Sequence, residues 1–424
     1  MATNLQPESL PIRFAGDVSI GKISITTSGG FSQDISAQVI NIQIYEDLFA
    51  PFITGSLIIK ESLDLVNLFP FVGEEFLELE ISTPSLPNGN LSATFYIHKL
   101  TDRELLGDRS VVYQLHFIST EAIVDLNKKI SKTYIGKISE IAERLITGDD
   151  GLESDKKVYV EDTSNNLKYI SNYWSPVENI MYLTETANNV SPSYVFFENR
   201  DGFYFVSLDK LYQSSVYQEF VYDKYVRDIG PGGRDYRNVS EDFKRILSIS
   251  IPTGYDYMDR IRSGMLSSKI TSFDATKKVY NVKTYNMFNN FSKQHHLNEY
   301  SVNSNKAIFK NNSLIINYKR MFRQFDGAFD DTSNYDTLQE RISLMKLARA
   351  HRLNVSVLGR MDYTVGLKVK VNLNKIEPFL FGEDVTDKMF SGNYLISAIN
   401  HYIDRDKHEC HMELIKESSM INLN

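Results

Sequence analysis

The sequence predicts a β-rich α+β protein of more than one domain. Three observations carry that prediction. A similar β-type stretch occurs near both ends of the chain. The composition favours strands, with 25 Tyr and 25 Phe in 424 residues and many Val, Ile and Thr beside them. Between the two ends lie segments of helical period that carry their own start signals.

The first stretch is Val72-Gly73-Glu74-Glu75-Phe76-Leu77-Glu78-Leu79-Glu80-Ile81, followed by strand-like runs at Thr94–Thr101 and Ser110–Ser119. The second is Val365-Gly366-Leu367-Lys368-Val369-Lys370-Val371-Asn372-Leu373, followed by Asn393–Tyr402 and His408–Ile415. Both turns are expected to contain Asp-Arg, as Asp102-Arg103 and Asp404-Arg405. A repeated β unit suits rings and tubes, where symmetry is built from copies, better than catalysis.

In chain order, residues 1–125 read as strands. Ala37–Tyr45 alternates, Gly55–Lys60 is a short run, and Phe76, Leu77, Leu79 and Ile81 sit among glutamates like a half-exposed strand. Residues 126–240 read as a mixed α+β segment. Ile138, Ile141, Ala142, Leu145 and Ile146 fall at helical spacing before Gly148. Ser175-Pro176-Val177-Glu178 is a capping box with Pro at the first helical position. Tyr194–Glu198 and Phe203–Leu208 flank the turn Asn199-Arg200-Asp201-Gly202 and predict a hairpin. After the break at Gly230-Pro231-Gly232-Gly233, residues 241–285 with 337–424 are expected to form a second β domain. Ile246–Ile251 and Lys277–Tyr285 are candidate strands within it. Thr337-Leu338-Gln339-Glu340 reads as a second capping box. Residues 286–336 read as an irregular insertion.

The formal net charge of −8 argues against a protein that grips nucleic acid. One cysteine, Cys410, rules out an intramolecular disulfide framework. The start lacks the basic and apolar regions of a signal peptide, and no apolar run is long enough for a membrane span. The expected product is a soluble protein made in a cytoplasm.

Candidate chemistry is sparse. Gly230-Pro231-Gly232-Gly233-Arg234 lacks the Lys-Ser/Thr pair of a phosphate loop and reads as a turn. His401, His408, Cys410 and His411 cluster near the end. Strand alternation puts His408 and Cys410 on one face and His411 on the other, with His401 across the hairpin. That gives at most three ligands where a structural zinc site wants four, so the reading is ordinary polar hairpin positions and no metal. His295-His296 shows no partner at ligand spacing. Glu74-Glu75, Asp149-Asp150 and Asp330-Asp331 read as solvated surface. Tyr173 and Trp174 read as packing at a helix start. No nucleophile elbow or zinc-protease motif occurs, and neither an enzyme nor a cofactor is expected.

Several stretches together resemble one family, the central hub proteins of contractile phage tail baseplates, related to the hub portions of other contractile injection machines. Trp174–Ile180 and Tyr194–Phe205 with Ser207-Leu208 look like its middle domain. Leu358–Gly366 with Gly392–Ile396 looks like its second tube domain, and Glu46–Pro51 with Gly55-Ser56-Leu57 its first. The resemblance runs over roughly residues 1–418. It implies two similar tube-type β-barrel domains flanking and interrupted by mixed α+β domains. It implies a homotrimer whose pseudo-six-fold ring joins a hexameric tail tube to a trimeric central spike, among other baseplate proteins. DNA would pass through the channel without specific binding. Such a protein belongs to the virion and assembles in the host cytoplasm. Asp102, Arg103, Asp404 and Arg405 then become candidate subunit or tube contacts. The rival expectations are a tail-associated cell-wall hydrolase and a carbohydrate- or receptor-binding module.

Overall fold

The computed structural model describes residues 14–63, 65–68, 71–107, 109–222, 239–252, 254–275, 278–304, 314–319, 334–375, 386–405 and 407–423. Its centre is a 13-stranded sheet, which contains two units of the same design. The first uses Ser19–Thr26, Val39–Asp47, Thr54–Glu61, Glu75–Ser82, Asn90–Leu106 and Ser110–Ser119. The second uses Val216–Tyr222, Ile246–Ser250, His351–Leu358, Lys368–Leu373, Gly392–Asp404 and His408–Lys416. Numbered along the chain within each unit, both sets of six lie side by side in the order 2-3-6-5-4-1. All neighbours in the first unit are antiparallel. The second differs at one edge, where Val216–Tyr222 runs parallel to Lys368–Leu373.

The strands of the second unit return on themselves. Val221 bridges Arg245 at the far edge, and its N–H donates to Lys244 O at 2.7 Å. Inside lies a core of aliphatic side chains with Phe220, Tyr363 and Tyr394. The first unit wraps an equivalent core of Ile, Leu and Val around Phe95, Tyr113 and Phe117. Alternation explains the partition. Leu77, Leu79 and Ile81 point inward while Glu78 and Glu80 face out.

The matched stretches begin alike. Gly73 and Gly366 both have left-handed φ, 90° and 85°, just before the strand that follows. Their hairpins differ. Asp102-Arg103 is not a turn: Asn90–Leu106 runs straight through it, and Asp102, at φ 53°, lies in a bulge between the Thr101–Gln114 and Glu104–Val112 pairs. The turn comes later, at Gly107, with φ 69°. Asp404-Arg405 does sit at its hairpin end, where Asp404 N–H donates to Lys407 O at 2.8 Å.

The middle segment has its own core, from Ile130 to Phe205. The helix Ile138–Thr147 buries Ile141, Ala142, Leu145 and Ile146, and Gly148 ends it. Pro176–Thr186 starts with both halves of the expected capping box: Ser175 Oγ accepts from Glu178 N–H and the Glu178 carboxylate accepts from Ser175 N–H. The hairpin Tyr194–Asn199/Gly202–Ser207 is buried on both faces. Tyr194, Phe196, Phe203 and Phe205 fill the middle core, while Val195, Phe197 and Val206 fill that of the second β unit. This double burial explains its unbroken apolar sequence.

Hydrogen bonding redraws three expected boundaries. Val216–Tyr222 falls in the middle segment by sequence but pairs with the second β unit. Ser267–Asp274 and Val279–Asn286 were expected there too, yet they form a separate sheet with Leu314–Lys319. The expected irregular insertion therefore supplies a strand, and also a short helix, Met287–Asn290. The helix Leu338–Ala348 packs on this sheet without a capping box. Thr337 Oγ1 turns back to Asn334 O, and Glu340 accepts from Gln294 instead. Among the described residues no helix is long and apolar enough to cross a membrane.

Candidate functional site

The two β units are joined by one strand. Gly392–Asp404 pairs through Gly392–Leu395 with Lys368–Leu373. A register shift follows between Ile396 and Ala398. The rest of the strand then pairs with Val39–Asp47, from Ala398–Asp47 to Asp404–Asn41.

Buried polar groups fix the bodies around this seam. Glu46, buried at the end of its strand, accepts from Thr364 Oγ1, from Val365 N–H at 3.1 Å and from Arg200 N–H at 3.3 Å. One carboxylate thus holds the first unit, the middle hairpin and the second unit together. Burial pushes its pKa up to about 7, against the pull of these donors and of the Arg200 charge. The Arg200 guanidinium reaches Asn88 O at 2.7 Å and Met361 O.

A cleft of ≈ 760 Å³ lies between the first unit and the middle segment. In its wall, Lys156 Nζ bridges Glu198 at 2.6 Å and Glu121 at 2.7 Å. The sequence offers no paired carboxylates here, because the three residues come from distant segments. Their bonding marks a clamp. Glu198 also accepts from Ile53 N–H at 3.0 Å and Ser119 Oγ at 2.5 Å, and Glu121 from Ser154 Oγ at 2.7 Å. Burial pushes Glu198 up, opposed by the Lys156 charge. For Glu121 burial acts the same way, but Lys156 wins and holds the group low.

The remaining sequence candidates fall as follows. Asp102, Arg103, Asp404 and Arg405 are all exposed, and Arg405 Nη2 donates to Ala37 O at 2.9 Å within the same chain. Glu75 corrects the solvated reading: it is buried and accepts from Val72 N–H at 2.8 Å and Gly73 N–H at 3.0 Å, tying down the left-handed turn. Asp150 pairs with Lys132 on the surface. Asp330-Asp331 and Gly230–Arg234 lie outside the described residues. Trp174 packs on Tyr182 with ring centroids 5.2 Å apart, whereas Tyr173 is exposed. His295 and His296 do have partners, remote in sequence: Asp209 at 2.9 Å and Glu417 at 3.1 Å.

His401, His408 and Cys410 are not surface hairpin positions. All three are buried and converge. Each belongs to the interior face of its strand, while His411 faces out and meets Ser356 Oγ at 2.8 Å. Burial lowers the His401 pKa to about 4, holds that of His408 well below the ordinary histidine value, and raises that of the Cys410 thiol. Both imidazoles are therefore neutral at pH 7.

No family model and no curated protein matches the sequence. Solved structures do. A tail protein from Neisseria meningitidis MC58 shares 12% identity at TM-score 0.56, covering 93% of this chain and 96% of that one. The 43 kDa tail protein of prophage MuSo2 from Shewanella oneidensis shares 9% identity at TM-score 0.55, with 93% and 98% covered. Prophage tail protein gp18 from Listeria monocytogenes shares 10% at TM-score 0.50, with 93% and 94% covered. These three neighbours are tail proteins, two of them from prophages, and the likeness spans nearly the whole of each molecule.

Proposed function

We propose that the chain is the structural hub of a contractile phage tail. The observation that carries this reading is the pair of six-stranded units with one strand order inside a phage tail fold. Each unit serves as a tube-type β-barrel domain. Three chains then present six such domains in a pseudo-six-fold ring, matching a hexameric tube on one side and a trimeric spike on the other. The middle segment and the sheet around Ser267–Asp274 form the surround that receives the spike, and DNA passes along the axis. The carboxylates in the large cleft are saturated by hydrogen bonds that lock two bodies together, which favours assembly over hydrolysis. Asp102-Arg103 and Asp404-Arg405 lie on exposed hairpin ends and bulges suited to subunit or tube contact.

Purified protein, alone and with its tube and spike proteins, should give a trimer by light scattering and a ring in axial electron-microscope views. A monomer with no affinity for either partner would refute the hub reading. Charge reversal at Asp102-Arg103 that leaves trimerisation and tube docking intact removes that pair from the interface. Arg405 needs a folding control, because it also bonds Ala37.

A further inference from the structure

We propose that His401, His408 and Cys410 bind one zinc-class divalent ion inside the second β unit. His401 Nδ1 lies 3.0 Å from His408 Nε2, and Cys410 Sγ lies 3.4 Å and 3.5 Å from the same two nitrogens. A tetrahedral zinc with ordinary bond lengths spaces its nitrogens about 3.3 Å apart and nitrogen from sulfur about 3.6 Å. The three atoms therefore stand close to three corners of such a tetrahedron. Two imidazoles and a thiolate also suit zinc chemically, and leave a fourth position to water or a neighbouring oxygen.

The surroundings support the same arrangement. The loop Gly359–Tyr363 wraps the cluster. His401 lies against the Tyr363 backbone and Cys410 against that of Arg360, so the main chain of this loop holds both side chains in place. Gly359 makes room for the ring, because a Cβ there would stand 2.3 Å from His408 carbons.

Without an ion the protons do not match the geometry. His408 Nε2–H can donate to the His401 lone pair. The Cys410 S–H must then share the same His401 lone pair. An ion takes the lone pairs of all three groups at once. It would staple the hairpin Gly392–Asp404/His408–Lys416 to the loop beside the seam between the two units.

The test uses the full chain, purified without chelator and reconstituted with Zn²⁺ or Co²⁺. The expected result is about one ion per chain by elemental analysis. Cobalt should show a thiolate charge-transfer band, and Cys410 is the only cysteine able to produce it. His401→Gln and Cys410→Ser should each lower metal affinity by roughly tenfold or more, while His295→Gln should leave it unchanged. A substoichiometric metal content after reconstitution, or cobalt binding with no thiolate band, overturns the proposal. Full retention of metal in Cys410→Ser does so too. If the variants fail to fold, the wild-type cobalt spectrum decides alone.

Discussion

Replacing Glu46 with Gln tests whether a single carboxylate governs the junction of the three bodies. In the unfolded chain this group titrates near 4.5, and in the folded protein near 7. Below pH 4.5 both states hold the proton and the junction keeps its full stability. As pH rises through 7 the folded state must carry a buried charge, and that stability is lost. A displacement of this size corresponds to about 3 kcal/mol. Gln never ionises and keeps one carbonyl for Thr364 and Val365, which share Oε2, but turns an NH2 toward the Arg200 N–H that Oε1 accepts. That mismatch costs about 1–3 kcal/mol at any pH. The variant should therefore be less stable than wild type at pH 4.5, and the difference between the two should shift in its favour by about 3 kcal/mol by pH 8. Several bodies share this chain, so global unfolding is a poor readout. Hydrogen exchange in the segments 39–47 and 361–367, corrected for intrinsic rates, reads the junction itself. Comparing the two proteins cancels every other titrating group. Parallel pH profiles, agreeing within about 0.5 kcal/mol, would refute the assignment.

Further outcomes follow from other contacts. Lys156→Met leaves Glu121 and Glu198 facing each other without a cation, and should destabilise by roughly 3–5 kcal/mol in denaturant titration; adding Glu198→Gln should recover part of the loss. Gly55→Ala places a Cβ 2.2 Å from Phe117 Cζ and 2.5 Å from Gln43 O, so overpacking should cost about 1–3 kcal/mol, seen as a lower midpoint. Ser175→Ala removes the cap of Pro176–Thr186 and should cost about 1 kcal/mol, followed by exchange of the Glu178 amide. Burial alone would lower the His296 pKa, but Glu417 outweighs it and holds the group high. Its contribution is present below the ordinary histidine pKa and is lost as pH rises through the raised one, so NMR titration should place it above an exposed histidine; a value below would refute the pairing.

What the sequence revealed was local. The capping box at Ser175, the helix from Ile138 and the aromatic hairpin each depend on neighbours within a few positions, and all three stand. The repeat was legible because strand, turn and hairpin recur in order, even where the residues differ. Local rules failed where a remote contact prevailed. Thr337 and Glu340 are the right residues for a capping box, but Thr337 Oγ1 donates to Asn334 O and Glu340 accepts from Gln294. Asp102 looks like turn chemistry and tolerates the left-handed φ of a bulge equally well. Glu75 reads as surface charge until the two amides it accepts are seen. The trio Glu121, Lys156 and Glu198 left no pattern at all, since nothing local links its members. His401, His408 and Cys410 were half legible. Strand parity put two on one face, but only the fold shows that this face is interior.

The seam strand also sets a schedule for synthesis. Asn41 Nδ2 donates to Ile403 O across 362 positions of chain. At ordinary translation speeds the ribosome needs roughly 20–70 s to cover that distance. Throughout that interval Val39–Asp47 has Thr54–Glu61 on one side and an open edge on the other. Two nascent chains on one message could pair through those edges. The first unit must wait for the last strands of its own chain, and the rate at which they arrive decides between correct closure and mispairing.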